Sequence, residues 1–337
     1  MPPTLSIVVP VFDVELYLSA CLESLTGQRL TDTEIIVVDD GSADGSRPIA
    51  DAWARKDARV RVLEQRNSGL SAARNTGVRA ARGTYLAFCD GDDIVPPGAY
   101  AAHVASLEAS GSDFSTGDVR RIDSTGVRPH PGYRDVFARN RHRTHIRRHT
   151  ALIRDRMVWN KVFRRSFWTS RKLAFALPAY EDAPVMMRAH IEASAVDVLS
   201  EVVYHWRIRE AGAPSITQRR DEPANLAACM RMVVDTFDVI TELAEDLVLP
   251  YADDMCRGDV RDVLDGLRLH DEHVLGEALS LARSFVERVP AVLIRSLPAA
   301  DRRLLNHLVH GEPAEIRQFV NEAPPAAADE DEGEPAR

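Results

Sequence analysis

Apolar runs in the first hundred residues alternate with helix-periodic stretches. "LSIVVPV" (5–11) is continuous and β-branched, the pattern of a strand covered on both faces. A helical period follows from about Leu16 to Leu25. Next come "EIIVVDD" (34–40), a Gly/Ser/Asp turn and a helix through Trp53. "VRVLEQ" (60–65), the small-residue helix "GLSAARNTGVRAA" (69–81) and "TYLAFCD" (84–90) continue the alternation, with another helix after Pro96 and Pro97. Repeated β-α units predict an α/β fold with a mostly parallel sheet and helices on both faces. In such sheets ligands gather beyond the carboxyl ends of the strands. Asp39, Asp40, Asp90, Asp92 and Asp93 all fall at those ends.

From about Asp113 to Trp206 the pattern is mixed, with short strands, loops and the basic run "ARNRHRTHIRRHT" (138–150). After Asp221, segments near 224–247, 252–269, 272–288 and 299–309 carry spaced Leu, Val and Met with charges between them. The expected organisation is an α/β domain over 1–220, a helical region over 221–320 and an acidic tail over 321–337. The tail, "EAPPAAADEDEGEPAR", is rich in Pro, Ala and acids and lacks an apolar face, so disorder is expected there. The helical region is read as serving oligomerisation (a homo-oligomer) or acceptor docking, or as a packing appendage.

Composition narrows the classes. A net charge of −9 and a pI near 5.7 argue against a nucleic-acid partner. Cys21, Cys89, Cys229 and Cys256 show neither zinc-ligand spacing nor the density of a disulfide scaffold, and fit a reducing cytosol as apolar filler. No basic segment leads into an apolar core at the N-terminus, so no signal peptide is expected, and no uncharged apolar run reaches bilayer-crossing length. The expected location is cytoplasmic, soluble or peripheral at the inner face of the cell membrane.

The acids carry the candidate chemistry. In "CDGDD" an extended backbone turns Asp90 and Asp92 the same way, and Gly91 lets a ligand approach the main chain. Hard oxygen donors suit Mg²⁺ or Mn²⁺ bound jointly with substrate phosphates. The competing reading is a turn in which Asp92 and Asp93 cap the next helix; acids at neighbouring strand tips favour a metal–diphosphate site. In "VVDDGSADGS", Asp39 is placed to accept a hydrogen bond from a nucleotide base, although paired Asp at a strand end also occurs in phosphoacceptor pockets. The glycine spacing of a dinucleotide fingerprint is missing. Arg66, Arg74 and Arg79 are read equally as phosphate contacts or solvated charges. The basic run is read as a solvated face, or as a surface attracting a polyanionic acceptor or an anionic membrane.

"SIVVPVFD", "IIVVDDGSADGS" and "NSGLSAARNTGVRAARGTYLAFCDGDD" occur in order over residues 4 to about 100, and together resemble the nucleotide-binding half of family 2 glycosyltransferases, which have the GT-A fold. "WNKVFRRSF" (159–167), "YED" (180–182) and "YHWRIREAGAPSITQ" (204–218) resemble acceptor-side motifs of the polymer-modifying and capsular members. The resemblance implies transfer of a hexosyl or N-acetylhexosaminyl group from a UDP-sugar to a polysaccharide, wall polymer or lipid-linked acceptor, with inversion and with Mn²⁺ or Mg²⁺ on the diphosphate. Pro10, Val11 and Phe12 would line the base pocket, with Asp39 on the base and Asn67 and Arg74 holding the nucleotide. Asp90 would approach the ribose beside Gly91, and Asp92 would bind the metal. In "AYEDAPVMMRA", Asp182 would be the base and Glu181 its acidic partner, against a plain helix cap. His205, otherwise a packed strand residue, would contact metal or diphosphate with Arg207 beside it. Ser215 to Thr217 would close over the donor, and Asn160 and Lys161 would shape the donor or acceptor site. Phe12-Asp13 replaces the usual Tyr-Asn, keeping the aromatic and losing the amide. The rival readings are a Mg²⁺-dependent phosphatase and a catalytically degenerate nucleotide-sugar-binding partner of a larger synthase.

Overall fold

β1 (Leu5–Val11) is buried along its whole length, as a continuous apolar run requires. In this computed structural model, which describes residues 2–311 and 313–322, β1 pairs in parallel with β2 (Thr33–Asp39) on one side. Its other parallel neighbour is β4 (Tyr85–Phe88), and β3 (Val60–Glu64) extends the sheet beyond β2. The connecting helices are α1 (Glu15–Thr26), α2 (Ser46–Lys56) and α3 (Leu70–Ala80). Alternation explains why both faces are apolar. Ile7, Val9, Ile35 and Val37 enter one core, while Val8, Ile36, Val38 and Phe88 enter the other.

The chain leaves β1 toward β2 and β3, then returns to the opposite side for β4. This reversal opens a crevice at the carboxyl ends of β1 and β4, where ligands bind in sheets of this kind. Helix α3 lies directly on β1: a Cβ on Gly77 would come within 2.2 Å of Val8 Cγ1. Gly77→Ala is therefore expected to destabilise the chain by about 1–3 kcal/mol, read from the midpoint of urea unfolding at unchanged slope.

Beyond β4 lie α4 (Ala99–Ser110), β5 (Phe114–Asp123), β6 (Gly126–Pro129), β7 (Arg141–Thr144), β8 (Lys161–Arg164), α5 (Arg165–Ser170), α6 (Asp182–Glu192) and β9 (Val196–Arg207). The nine-stranded sheet runs β3-β2-β1-β4-β8-β5-β9-β7, with β6 paired to β5. Here the sheet turns mixed: β8 is antiparallel to β4 and β5, whereas β5 and β9 are parallel. These pairings arise where the sequence pattern is itself irregular. Part of the basic run forms β7, antiparallel to β9. Arg143 donates its N–H to Asp197 (2.8 Å) and its guanidinium to the Ser110 carbonyl (2.5 Å), while His149 is buried against the Val136 carbonyl (2.9 Å).

The chain divides into two compact units, Met1–Pro214 and Ser215–Arg337. The second comprises α7 (Pro223–Leu243), α8 (Val248–Arg257), α9 (Asp259–Gly266), α10 (Gly276–Arg288), α11 (Ala291–Ser296), α12 (Ala299–His310) and α13 (Pro313–Glu322). Its core includes Phe237, edge-on to Phe285 at 5.1 Å and stacked with Tyr251 at 6.3 Å. Among the described residues no helix is long and apolar enough to cross a membrane. Of the expected acidic tail, residues 323–337 lie outside the described residues.

Candidate active site

The carboxyl end of β1 leads into Phe12, which is 47% exposed at the rim of the crevice. Asp13 follows with φ of 49°, a left-handed conformation that Asp tolerates. Its Oδ1 accepts the Ala43 N–H at 2.8 Å, and its own N–H donates to Ser42 Oγ at 3.2 Å. The carboxylate at position 13 thus fastens the loop after β1 to the loop after β2. Asp39 is buried, with Oδ1 accepting the Ser42 N–H at 3.1 Å and Oδ2 lying 3.8 Å from Arg47. Asp40 has a different task. It accepts hydrogen bonds from Gln65 Nε2 (2.7 Å), Ser68 N (2.9 Å) and Gly69 N (2.8 Å), and so holds the loop on which Asn67 is exposed.

The acids beyond β4 separate into distinct roles. Asp90 retains some exposure (28%) and accepts from Arg74 Nη2 at 2.6 Å. A Cβ on Gly91 would meet the Pro10 carbonyl and Val14 at 3.2 Å, so this glycine serves the close seating of the tip on the end of β1. Asp92 is buried, with Oδ2 accepting from Arg209 Nε at 2.7 Å and its carbonyl accepting from Arg207 Nε at 2.6 Å. Asp93 is a fastener. Its Oδ2 accepts from the Tyr204 hydroxyl and its Oδ1 from the Arg207 N–H, both at 2.7 Å, tying the tip to β9. Burial, then repulsion from Asp92 and Asp90, pushes the Asp93 carboxyl well above the usual range. Burial likewise raises Asp92, with Arg209 pulling the other way.

Asp182 and Glu181 stand at the N-terminus of α6, across the crevice from β4. Arg74, on α3, is fully buried and joins the two sides: one arm of its guanidinium donates to Asp90 and the other to Glu181 Oε1. Opposing the desolvation that disfavours its charge, Asp90, Glu181 and Asp182 together raise its pKa. Glu181 is pushed up to about 7 by burial, against the pull of Arg74. Burial also raises Asp182, which Arg74 opposes and Asp90 reinforces. The Asp182 carboxylate accepts the Val158 N–H at 3.3 Å. A carboxylate so desolvated is a stronger proton acceptor than one in water.

His205 is held next to the acidic tip by its backbone, whereas Asn160 and Lys161 of "WNK" are buried. His205 pairs through its backbone with Ile94 (2.9 and 3.2 Å). Burial, and then nearby Arg120, lower its pKa. Asn160 and Lys161 are buried against Asp155 rather than facing the crevice. Among the described residues no three His, Cys, Asp or Glu side chains gather as a metal-holding set. A divalent cation on Asp92 would then draw its other ligands from a bound diphosphate and water, a common habit of Mg²⁺. The hard carboxylate of Asp92 fits such an ion, and Arg209 is the cation with which it would share that oxygen.

A family profile described as glycosyl transferase family 2 matches residues 6–170, the stretch that carries Asp39, Arg74, Asp90 and Asp92. Residues 6–170 belong to glycosyltransferase family 2. The uncharacterized glycosyltransferase EpsJ of Bacillus subtilis is 36% identical over 212 residues, covering 61% of this chain and 62% of EpsJ. The poly(ribitol-phosphate) β-glucosyltransferase of Bacillus spizizenii is 28% identical over 62% of this chain and 33% of its own length. The chain thus spans less than two thirds of these curated relatives. S. aureus TarS (residues 1–349), solved with UDP-GlcNAc, superposes with a TM-score of 0.74 at 20% identity, covering 96% of this chain and 91% of that one. This likeness shows the GT-A fold.

In this chain, reading the sequence missed Arg209, Tyr17 and Tyr204. Arg207 and Arg209 lie over the Tyr17 ring, 5.3 and 5.9 Å from its centre. The Tyr17 hydroxyl donates to the Ala211 carbonyl at 2.7 Å, holding the chain after β9. Tyr204 stacks on Trp159 at 4.3 Å and accepts the Asp90 N–H at 3.0 Å while bonding Asp93. The available signal is "WRIRE": arginines two apart at a strand end, a spacing that places two cations together against an acidic tip.

Proposed function

We propose that this chain is an inverting glycosyltransferase that moves a sugar from a UDP-sugar to a polysaccharide, wall polymer or lipid-linked glycan. The observation that carries the reading is Arg74. One buried guanidinium holds both Asp90, at the nucleotide end of β4, and Glu181, beside Asp182 on the acceptor side. A donor site and a base are thereby held in one crevice at the switch point of the sheet. Pro10, Val11 and exposed Phe12 border the base pocket, Asp39 accepts from the base, and Asn67 and Asp90 contact the nucleotide. Arg207 and Arg209 face the diphosphate. Asp92 would hold Mn²⁺ or Mg²⁺, which when bound offsets charge on the departing diphosphate.

Asp182 takes the proton from the acceptor hydroxyl as that oxygen attacks the anomeric carbon. The carbon–oxygen bond to UDP breaks in the same displacement, and UDP leaves from the face opposite the base, which inverts the centre. Support for a uridine donor and a wall-polymer acceptor comes from the UDP-GlcNAc bound to TarS and from the poly(ribitol-phosphate) named for the B. spizizenii relative.

Thermal unfolding with UDP, with and without Mn²⁺, tests the donor assignment. At about 100 times its Kd, UDP stabilises the chain by about 2.7 kcal/mol, a rise of several degrees in Tm that is larger with Mn²⁺. No UDP-dependent shift under either condition would overturn the reading. UDP release measured across UDP-GlcNAc, UDP-glucose and UDP-galactose then identifies the sugar.

A further inference from the structure

Below the crevice lies a fully buried polar network that the proposed mechanism does not use. Asp155, Asn160, Lys161 and His190 are each at most 1% exposed. Lys161 Nζ donates to Asp155 Oδ1 (2.6 Å), Asn160 Oδ1 (2.8 Å) and the Met157 carbonyl (2.5 Å). Asn160 Nδ2 donates to Asp155 Oδ1 (3.1 Å) and the Gly117 carbonyl (3.0 Å). The other Asp155 oxygen meets His190 Nε2 at 3.2 Å.

A buried ion pair is a poor device for stability alone, since apolar residues of similar volume often do as well or better. This one has a particular placement. Asp155 and Asn160 bound the loop 155–160, and Val158 within that loop donates its N–H to Asp182. The opposite arm of Asp155 grips His190, in the last turn of the helix whose first residue is Asp182. Both ends of α6 are therefore referenced to one carboxylate, one end through the loop and the other directly.

We propose that Asp155 is a positioning residue for the transfer reaction. Together with Lys161, Asn160 and His190 it sets the distance at which Asp182 meets the acceptor hydroxyl. The proposal rests on the reading of Asp182 as the base. A misplacement of about 1 Å in a reacting group can slow turnover by about 100-fold, and none of these four residues is itself among the proposed nucleotide contacts, so the effect is expected on turnover rather than on donor binding.

The test uses the full chain and the double variant Asp155→Asn/Lys161→Met, which removes the ion pair at nearly constant volume. UDP release is followed from whichever of UDP-GlcNAc, UDP-glucose and UDP-galactose the unaltered chain turns over fastest. The expected result is kcat lower by about 10- to 100-fold, with the donor KM within twofold and the UDP-induced Tm shift retained. A folded double variant with kcat within twofold of the parent overturns the proposal, as does a loss confined to KM. If the double variant does not fold, His190→Leu and His190→Gln decide. Gln keeps a donor toward Asp155 and restores turnover that Leu loses; equal kcat in the two overturns the proposal. Asp182→Asn, run alongside, separates the two ideas. If it still transfers sugar, the base assignment falls, whereas an inactive Asp182→Asn with a fully active double variant sinks the network alone.

Discussion

Asp182→Asn is expected to lower sugar transfer by about a thousandfold while leaving the UDP-induced thermal shift unchanged. The magnitude is that of general-base catalysis, typically a factor of about 10² to 10⁴. The amide keeps the size of the carboxylate and can still accept the Val158 N–H, so the fold at the start of α6 persists. What is lost is the lone pair that takes the acceptor proton. UDP release in the presence of acceptor, set beside UDP binding, checks both halves. Transfer within tenfold of the parent would place the base elsewhere, with Glu181 the first alternative because burial lifts it to about 7.

The second large effect is expected at Arg74. Arg74→Met leaves Asp90 and Glu181 facing each other without the buried cation that joins them. Removing one partner of a buried pair costs about 3–5 kcal/mol because the remaining charge is uncompensated. The loss has a definite pH dependence. Glu181 already has a folded-state value raised from 4.5 to about 7 by burial, although Arg74 pulls it down. A carboxyl with a raised folded-state pKa binds more protons folded than unfolded, so stability falls as pH climbs through that interval. Without Arg74 the interval extends further upward. Urea unfolding should therefore show a small deficit near pH 5 and a larger one near pH 8. Arg74→Lys should recover part of the stability, because a single ammonium cannot bridge two carboxylates as the planar fork does. A deficit independent of pH would mean that lost packing against Phe175, rather than lost charge, dominates.

Much of the architecture is legible in the residue order. β1, β2 and β4 announce themselves because both of their faces are covered, leaving continuous apolar runs that have no other stable placement. Position on such a strand then assigns Asp39 and Asp90 to the carboxyl edge. The small residues of α3 forecast close contact with the sheet, and Gly77 against Val8 provides it. Burial and charge sharing are less visible from sequence. Arg74 reads equally well as a phosphate ligand or a surface charge until α3, β4 and α6 converge around it. Asp93 and Asp92 are indistinguishable as letters, yet one is bonded to Tyr204 and the other to Arg209, each more than a hundred positions away. Asn160 and Lys161 bond Asp155 only five and six positions earlier, but the other partner of that carboxylate, His190, is brought to it only by the packing of α6.

By itself, then, the sequence determined the parallel β-α half, the acidic strand tips and the family to which they belong, because each follows from local periodicity and contiguous motifs. Which acid is paired and which is raised by burial was decided only by the tertiary structure. Those properties depend on distances of a few ångströms between residues far apart in the chain, and the Coulomb and desolvation energies that distinguish one aspartate from the next depend on the same distances.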